Sequence, residues 1–305
     1  MIIAVASGKG GTGKTTVAAN LARAHGDVTL LDCDVEEPNI HLFVSGAPQG
    51  EPETVSILVP EVDESRCDGC ADCSRFCAFK ALAVLDKRVL VFPELCHGCG
   101  GCARVCPQGA IRETPKRVGV VETMRSGGRV TVVQGRLDVG VAMAPPLIRA
   151  VKAHIPKTED AILDAPPGTS CPVVATLRET DFVVLVTEPT PFGLNDLKLA
   201  VAVVRELGLP FGVVVNRADR HDDRVAVYCR ETGIPVLAEI PDDRRVAEAY
   251  SRGELMVDAL PEYRTLFERL LADIVSQLKD ASGVHPCSGD QARDRSFLCS
   301  GSGVR

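Results

Sequence analysis

Eight cysteines between Cys67 and Cys106 constrain this chain more than any other feature in it. They fall in two runs, Cys67, Cys70, Cys73, Cys77 and Cys96, Cys99, Cys102, Cys106, each spaced C-x-x-C-x-x-C-x-x-x-C, with Pro107 after the second. Three thiols on one tight loop can hold one iron–sulfur cube, and a fourth beyond that loop is placed to reach another. The spacing therefore groups Cys67, Cys70, Cys73 and Cys106 on one [4Fe-4S] site, and Cys96, Cys99, Cys102 and Cys77 on a second. Zinc sites use paired C-x-x-C elements rather than two four-cysteine runs, and disulfides are disfavoured in a chain without an export signal. Between the runs, apolar segments Ala81 to Leu85 and Val89 to Phe92 flank Asp86-Lys87-Arg88, the pattern of a small hairpin. One departure is Ala78, which follows Cys77 where the second run has a proline.

A different pattern begins at residue 1 and resumes after the cysteines. Met1 to Ala6 is an apolar, β-branched run that predicts a buried strand. Gly8, Gly13, Lys14 and Thr15 then match G-x-x-x-x-G-K-[ST] within Ser7 to Thr16. Such a loop, here Gly8, Gly10, Gly11, Thr12, Gly13, Lys14, Thr15 and Thr16, turns backbone N–H groups onto phosphate oxygens. Lys14 is expected at the β- and γ-phosphates and Thr15 at Mg²⁺. A helix from Lys14 to about His25 aims its N-terminus at the anion. Strand Val28 to Leu31 ends at Asp32 and Asp34, on the edge where open α/β sheets bind ligands. Strand Ala161 to Asp164 ends in DAPPGTSC, making Asp164 the candidate Walker B carboxylate beside Mg²⁺.

With Lys9 near the loop start, KGGTGKTT resembles the deviant Walker A of the MinD, ParA, Mrp and nitrogenase-iron-protein group of P-loop ATPases. The cysteine stretch resembles a bacterial two-cluster ferredoxin. The first resemblance implies that Lys9 crosses a dimer interface to the partner's nucleotide, that Asp34 orients the attacking water, and that Asp32 supports Mg²⁺ or its loop. It also implies that Asn216, at the end of strand Phe211 to Val215, and Pro241 and Asp242, after strand Val236 to Ile240, lie at the adenine. Cys171 matches a switch II position that ligates a shared cluster in the nitrogenase iron protein; a small buried residue is the alternative.

The chain of 305 residues is 45% hydrophobic and carries a net charge of −7. That size fits one large and one small domain, and the acidic balance argues against nucleic acid as a main partner. No stretch has the length of a membrane span and the N-terminus is unlike a signal peptide, so a cytoplasmic protein is expected. Strand–helix alternation predicts an α/β fold: a doubly wound, mostly parallel P-loop sheet in residues 1–60 and 116–280, with an inserted α+β ferredoxin-type 2[4Fe-4S] domain at 61–115. Gly46 to Pro60 reads as an exit linker. Val118 to Met124 and Arg129 to Gln134 read as a hairpin about Ser126-Gly127-Gly128, and Ala144 to His154 as a short helix. Leu266, Leu270, Ile274 and Leu278 form one stripe of a last helix, Pro261 to Lys279, followed by a disordered tail at 281–305.

Together these features predict an ATP-hydrolysing iron–sulfur protein with ATP, Mg²⁺ and two [4Fe-4S] clusters. Nucleotide state would gate electron transfer to a redox or metal-cofactor assembly partner, within an ATP-dependent homodimer or a heterodimer with a related ATPase. The alternatives are a cluster carrier of the Mrp type and a positioning ATPase of the MinD/ParA type.

Overall fold

The computed structural model describes residues 1–44, 46–126, 129–219 and 222–283, with side chains to residue 279. The strands are β1 (Ile2–Ala6), β2 (Val28–Asp32), β3 (Ala47–Pro48), β4 (Glu53–Val62), β5 (Leu82–Leu85), β6 (Arg88–Val91), β7 (Ile111–Ser126), β8 (Val130–Leu137), β9 (Ala161–Asp164), β10 (Phe182–Thr187), β11 (Phe211–Ala218) and β12 (Val236–Pro241). The helices are α1 (Lys14–His25), α2 (Asp72–Phe76), α3 (Gly101–Val105), α4 (Ala144–Lys152), α5 (Cys171–Leu177), α6 (Pro191–Glu206), α7 (Arg224–Thr232), α8 (Arg244–Ser251), α9 (Met256–Ala259) and α10 (Pro261–Gly283).

Ten strands form one sheet in the order β12-β11-β10-β1-β9-β2-β8-β7-β3, with β4 also on β7. From β12 to β8 the pairing is parallel. Both faces of this part are covered, which is why β1 and β10 read as unbroken apolar runs. Ile3 and Val5 point into a core shared with α1, α9 and α10, whereas Ala4 and Ala6 point into one shared with α4, α6 and α7. The expected doubly wound sheet is present, and the predicted strands at 161–164 and 182–187 match β9 and β10.

Three expectations need correction. Residues 46–60 are no linker: β3 and most of β4 lie there, both antiparallel to β7. Pairing runs from Glu53↔Val121 to Val62↔Ile111, so the expected boundaries at 60/61 and 115/116 fall inside one continuous ribbon. The hairpin after the insert is real but longer than expected, since β7 begins at Ile111; two residues of its turn, Gly127 and Gly128, lie outside the described residues. The last helix continues to Gly283, and the remaining tail lies outside the described residues.

At the far end of the ribbon sits a separate small core of Val59, Cys73, Ala81, Leu82, Cys96, Cys102 and Ile111. The β5–β6 hairpin lies there as expected, turning through Asp86 and Lys87 at φ 48° and 66°.

Candidate functional site

The carboxyl ends of β1, β2 and β9 meet at one edge of the sheet, where Asp32 stands beside Asp164 and Val5 beside Asp164. The loop after β1 closes on this edge. Gly13 has φ +91°, a left-handed backbone that favours glycine. A side chain at Gly8 would collide with the Asp196 carbonyl, and one at Gly13 with the Asn216 amide. The Ala-rich α1 follows at once, a composition with high helix propensity, and ends at Gly26, whose N–H bonds the Ala22 carbonyl at 3.1 Å.

A cavity of about 460 Å³ opens over this loop. Its walls include Gly10, Gly11, Gly13, Lys14, Thr15, Thr16, Asp34, Asn216, Pro241 and Asp242, so most residues singled out from sequence converge there. Pro167 of the DAPPGTSC segment and Asp243 next to Asp242 line it too, while Glu37, Asn39, Arg217, Val246, Ala247, Tyr250 and Met256 also line it and were not anticipated as contacts. The Asn216 amide donates to the Thr12 carbonyl at 2.8 Å, fastening the end of β11 to the loop.

Lys9 does not line this cavity. Its ammonium lies 3.8 Å from Glu188, whose other oxygen accepts from Arg217 at 2.6 Å. Cys171 is exposed as the first residue of α5.

The electrostatics ask for a cation. The Thr15 hydroxyl donates to Asp164 Oδ2 at 2.6 Å, while Asp164 Oδ1 is buried without a partner. Burial raises the Asp164 carboxyl above the ordinary range against the pull of Lys14, and Asp34 raises it further. Burial, then the Asp164 charge, raises Asp32 as well. Asp34 is pushed up to about 6, chiefly by burial, with Lys14 opposing. Both Asp32 oxygens are engaged by backbone: Oδ1 accepts from Asp34 N–H at 3.1 Å, and Oδ2 from Asn39 and Ile40 N–H at 3.0 and 3.1 Å. Asp32 thus holds the loop after β2, while Asp164 keeps an oxygen free.

The cysteine unit shows its internal repeat in three dimensions. Ala81 N–H bonds Cys77 Sγ, and at the equivalent place Ala110 N–H bonds Cys106 Sγ, both at 3.3 Å. The N-caps of α2 and α3, Ala71 and Gly100, are both left-handed, at φ 67° and 70°. Cys70 and Cys99 are exposed, while Cys73 and Cys102 are buried. Burial, then the neighbouring Cys106 and Cys67, raises the Cys73 thiol. Cys102 is pushed up to about 11 by burial, with Cys96 and Cys99 adding to it. One small cavity is lined by Cys77, Cys96, Cys99 and Cys102 and covered by Leu58, Phe76, Phe79 and His97, with Phe79 and His97 stacked at 3.5 Å between ring centroids. Among the described residues, no three His, Cys, Asp or Glu side chains converge as ligands of a single metal ion.

Residues 3–256 match the CobQ/CobB/MinD/ParA nucleotide binding domain. The chain belongs to this family. Two relatives and one solved structure are similar to it. An uncharacterised protein of Methanocaldococcus jannaschii is 31% identical over 83% of this chain and 90% of its own length. An iron-sulfur cluster carrier protein of Aquifex aeolicus is 26% identical over 92% of this chain and 68% of its own length. The septum site-determining protein MinD of Pyrococcus horikoshii, solved with Mg-ADP, superposes with a TM-score of 0.55 at 20% identity, over 92% of this chain and 97% of that one. As a MinD/ParA-type protein the chain is a nucleotide-binding P-loop ATPase. Among its described residues no helix is long and apolar enough to cross a membrane.

Mg²⁺, which this family implies, fits the residues present: Thr15 and the unpartnered Asp164 Oδ1 would hold it, supplying charge neutralisation at the phosphates. A test follows from the same carboxylates. A carboxyl raised in the fold stabilises the folded state fully below its unfolded pKa, and that contribution is lost as pH rises through its folded value. Without Mg²⁺ or nucleotide, Asp164→Asn should therefore stabilise the protein at pH 8 by on the order of 1–3 kcal/mol, with little gain at pH 4. Thermal melts at the two pH values check this; an equal effect at both would mean that the carboxylate's charge is not the cause.

Proposed function

We propose that the chain is an Mg²⁺-dependent ATPase whose nucleotide state sets the redox behaviour of an inserted module carrying two [4Fe-4S] clusters, in the service of iron–sulfur or metal-cofactor assembly. The observation that carries this reading is β7. This single strand leaves the cysteine core at Ile111 and ends within the central sheet at Ser126, antiparallel to β8, so one unbroken element joins the cysteine unit to the sheet that carries the nucleotide site. The cysteine donor set supports the clusters. Four thiols surround one cavity in the crossed grouping read from the spacing, and backbone N–H groups reach the sulfurs, a known means of tuning cluster potential. Thiols spread around a cavity suit a group that offers a separate iron to each thiolate better than they suit one metal ion. When bound, the clusters would supply one-electron transfer.

The chain's own residues supply the nucleotide chemistry. The loop N–H groups and Lys14 hold the phosphates, and Asp34 orients water, so that hydrolysis proceeds mainly by positioning and charge stabilisation. Lys9 stands at the surface, one-third exposed, available to a second copy or a related ATPase facing this edge. A second reading, a cluster carrier, draws on the iron-sulfur cluster carrier proteins among the relatives.

The test is anaerobic. Reduced-cluster spectra and midpoint potentials are recorded without nucleotide, with ADP and with a non-hydrolysable ATP analogue. A potential that moves with nucleotide, with iron retained, supports gated electron transfer. Firm iron and unmoved potentials would end the gating reading, and transfer of cluster to an apo-acceptor would establish the carrier instead.

A further inference from the structure

Helix α4 lies against β7 and β8 and reaches from this ribbon toward the nucleotide edge of the sheet. Its Leu147, Ile148 and Val151 are fully buried. They lie on β7 and β8 with no slack, because both strands present glycine beneath them. A Cβ at Gly119 would come within 2.8 Å of Leu147, and one at Gly135 within 2.8 Å of Val151 and 2.6 Å of Val35. Val35 belongs to the loop that follows Asp34, and its carbonyl accepts from Leu137 N–H at the end of β8, at 2.9 Å. The helix therefore seats on the ribbon and the nucleotide loop together.

Its last residue reaches α5. The Lys152 ammonium donates to the carbonyls of Ala175 at 3.1 Å, Thr176 at 3.0 Å and Arg178. These are orphan carbonyls at the C-terminal end of α5, the helix that follows the Pro166–Pro167–Gly168 loop at the nucleotide. A cation held on three of them is both hydrogen-bonded and favoured by the helix dipole. Two residues on, His154 Nε2 lies 3.1 Å from Glu53 Oε2, at the first residue of β4, the strand that enters the cysteine unit. Cys33, in the chain between Asp32 and Asp34, is buried and interacts with both Lys152 and Thr176. Burial lowers the Lys152 pKa, while Cys33 and Glu179 raise it.

We propose that Lys152 is a positioning residue that binds the switch helix α5 to α4, so that a displacement of α5 on nucleotide exchange is carried through α4 to the β4–β7 ribbon and the cysteine unit. This rests on the reading that nucleotide state acts on that unit. The physical requirement is a chain of packed elements that shift as bodies rather than deform. Glycine-seated helix packing at one end and a three-carbonyl anchor at the other provide it. A purely structural lysine would cap α5 and stabilise the fold without affecting how the ribbon responds to nucleotide.

The experiment is amide hydrogen exchange on the full-length, iron-loaded protein, comparing Mg·ADP with an Mg-bound non-hydrolysable ATP analogue, read at residues 53–59 and 111–117. The wild type should show a nucleotide-dependent difference there. Lys152→Met should reduce that difference several-fold while nucleotide affinity stays within about twofold of wild type, since Lys152 does not line the nucleotide cavity. Lys152→Gln keeps a donor too short to serve all three carbonyls and should give the same loss if the Met variant does not fold. A ribbon indifferent to nucleotide in the wild type would overturn the underlying reading and this inference with it. A wild-type response retained in full by either folded variant would overturn this inference alone.

Discussion

Lys14→Ala should lower ATP turnover by at least about 10²–10³-fold, the range seen when one preorganised charge stabiliser is lost, and should weaken nucleotide binding as well. Two arguments lead to this. Lys14 is 6% exposed at the start of α1, on the wall of the nucleotide cavity, where a positive charge meets phosphate directly. It is also the cation that opposes the raised pKa of both Asp34 and Asp164. Without it, these carboxylates face an incoming polyanion uncompensated, so binding and turnover fall together. Lys9→Ala should behave differently. Lys9 is ion-paired with Glu188 outside the cavity, so nucleotide affinity of the separate chain should stay near wild type while turnover falls wherever a second copy is needed. Equilibrium binding of a fluorescent nucleotide beside steady-state hydrolysis separates the two. Equal losses of affinity in both variants would remove the distinction drawn between the lysines.

Much of this site was legible because it is local. The glycine loop, Lys14 and Thr15 sit within one strand–turn–helix, and the spacing alone demands their shape. Asp164 was recognisable from its order after that loop. The partners across the cavity were less so. Tyr250 and Met256 reach it from α8 and α9, a placement set by the packing of α8 on α9 and of α9 on α1 and α10, which no short motif encodes. Lys152 belongs to the same class, since the carbonyls it caps lie on another helix. The misreading of residues 46–60 has a different cause. Pro, Glu and Gly dominate that stretch, yet Val55, Ile57 and Val59 alternate within it, and these are the more buried residues of β4. A two-stranded ribbon covered on one side needs only that sparse alternation, so the signal was present beneath the turn-forming composition.

In the cysteine unit the spacing gives the ligand types, and the fold bears on their grouping. Cys77 belongs by sequence to the first run, yet it shares a cavity with Cys96, Cys99 and Cys102. If that grouping carries a cluster, Cys77→Ala should lower bound iron from about eight to about four per chain and remove one of two reduced-cluster signals. Pairs of substitutions then decide the topology, because residues acting as one unit are strongly non-additive. Cys77→Ala with Cys99→Ala should lose no more iron than either change alone. Cys77→Ala with Cys70→Ala should lose nearly all of it. In an uncrossed arrangement these two results would exchange places, since Cys77 would then act with Cys70. The crossed arrangement also has a mechanical consequence. Cys77 follows α2, and Cys106 follows α3 and leads into β7. Each cluster would therefore tie the two halves of the unit together, and losing either should loosen the Ile111 end of β7 through which the unit meets the central sheet.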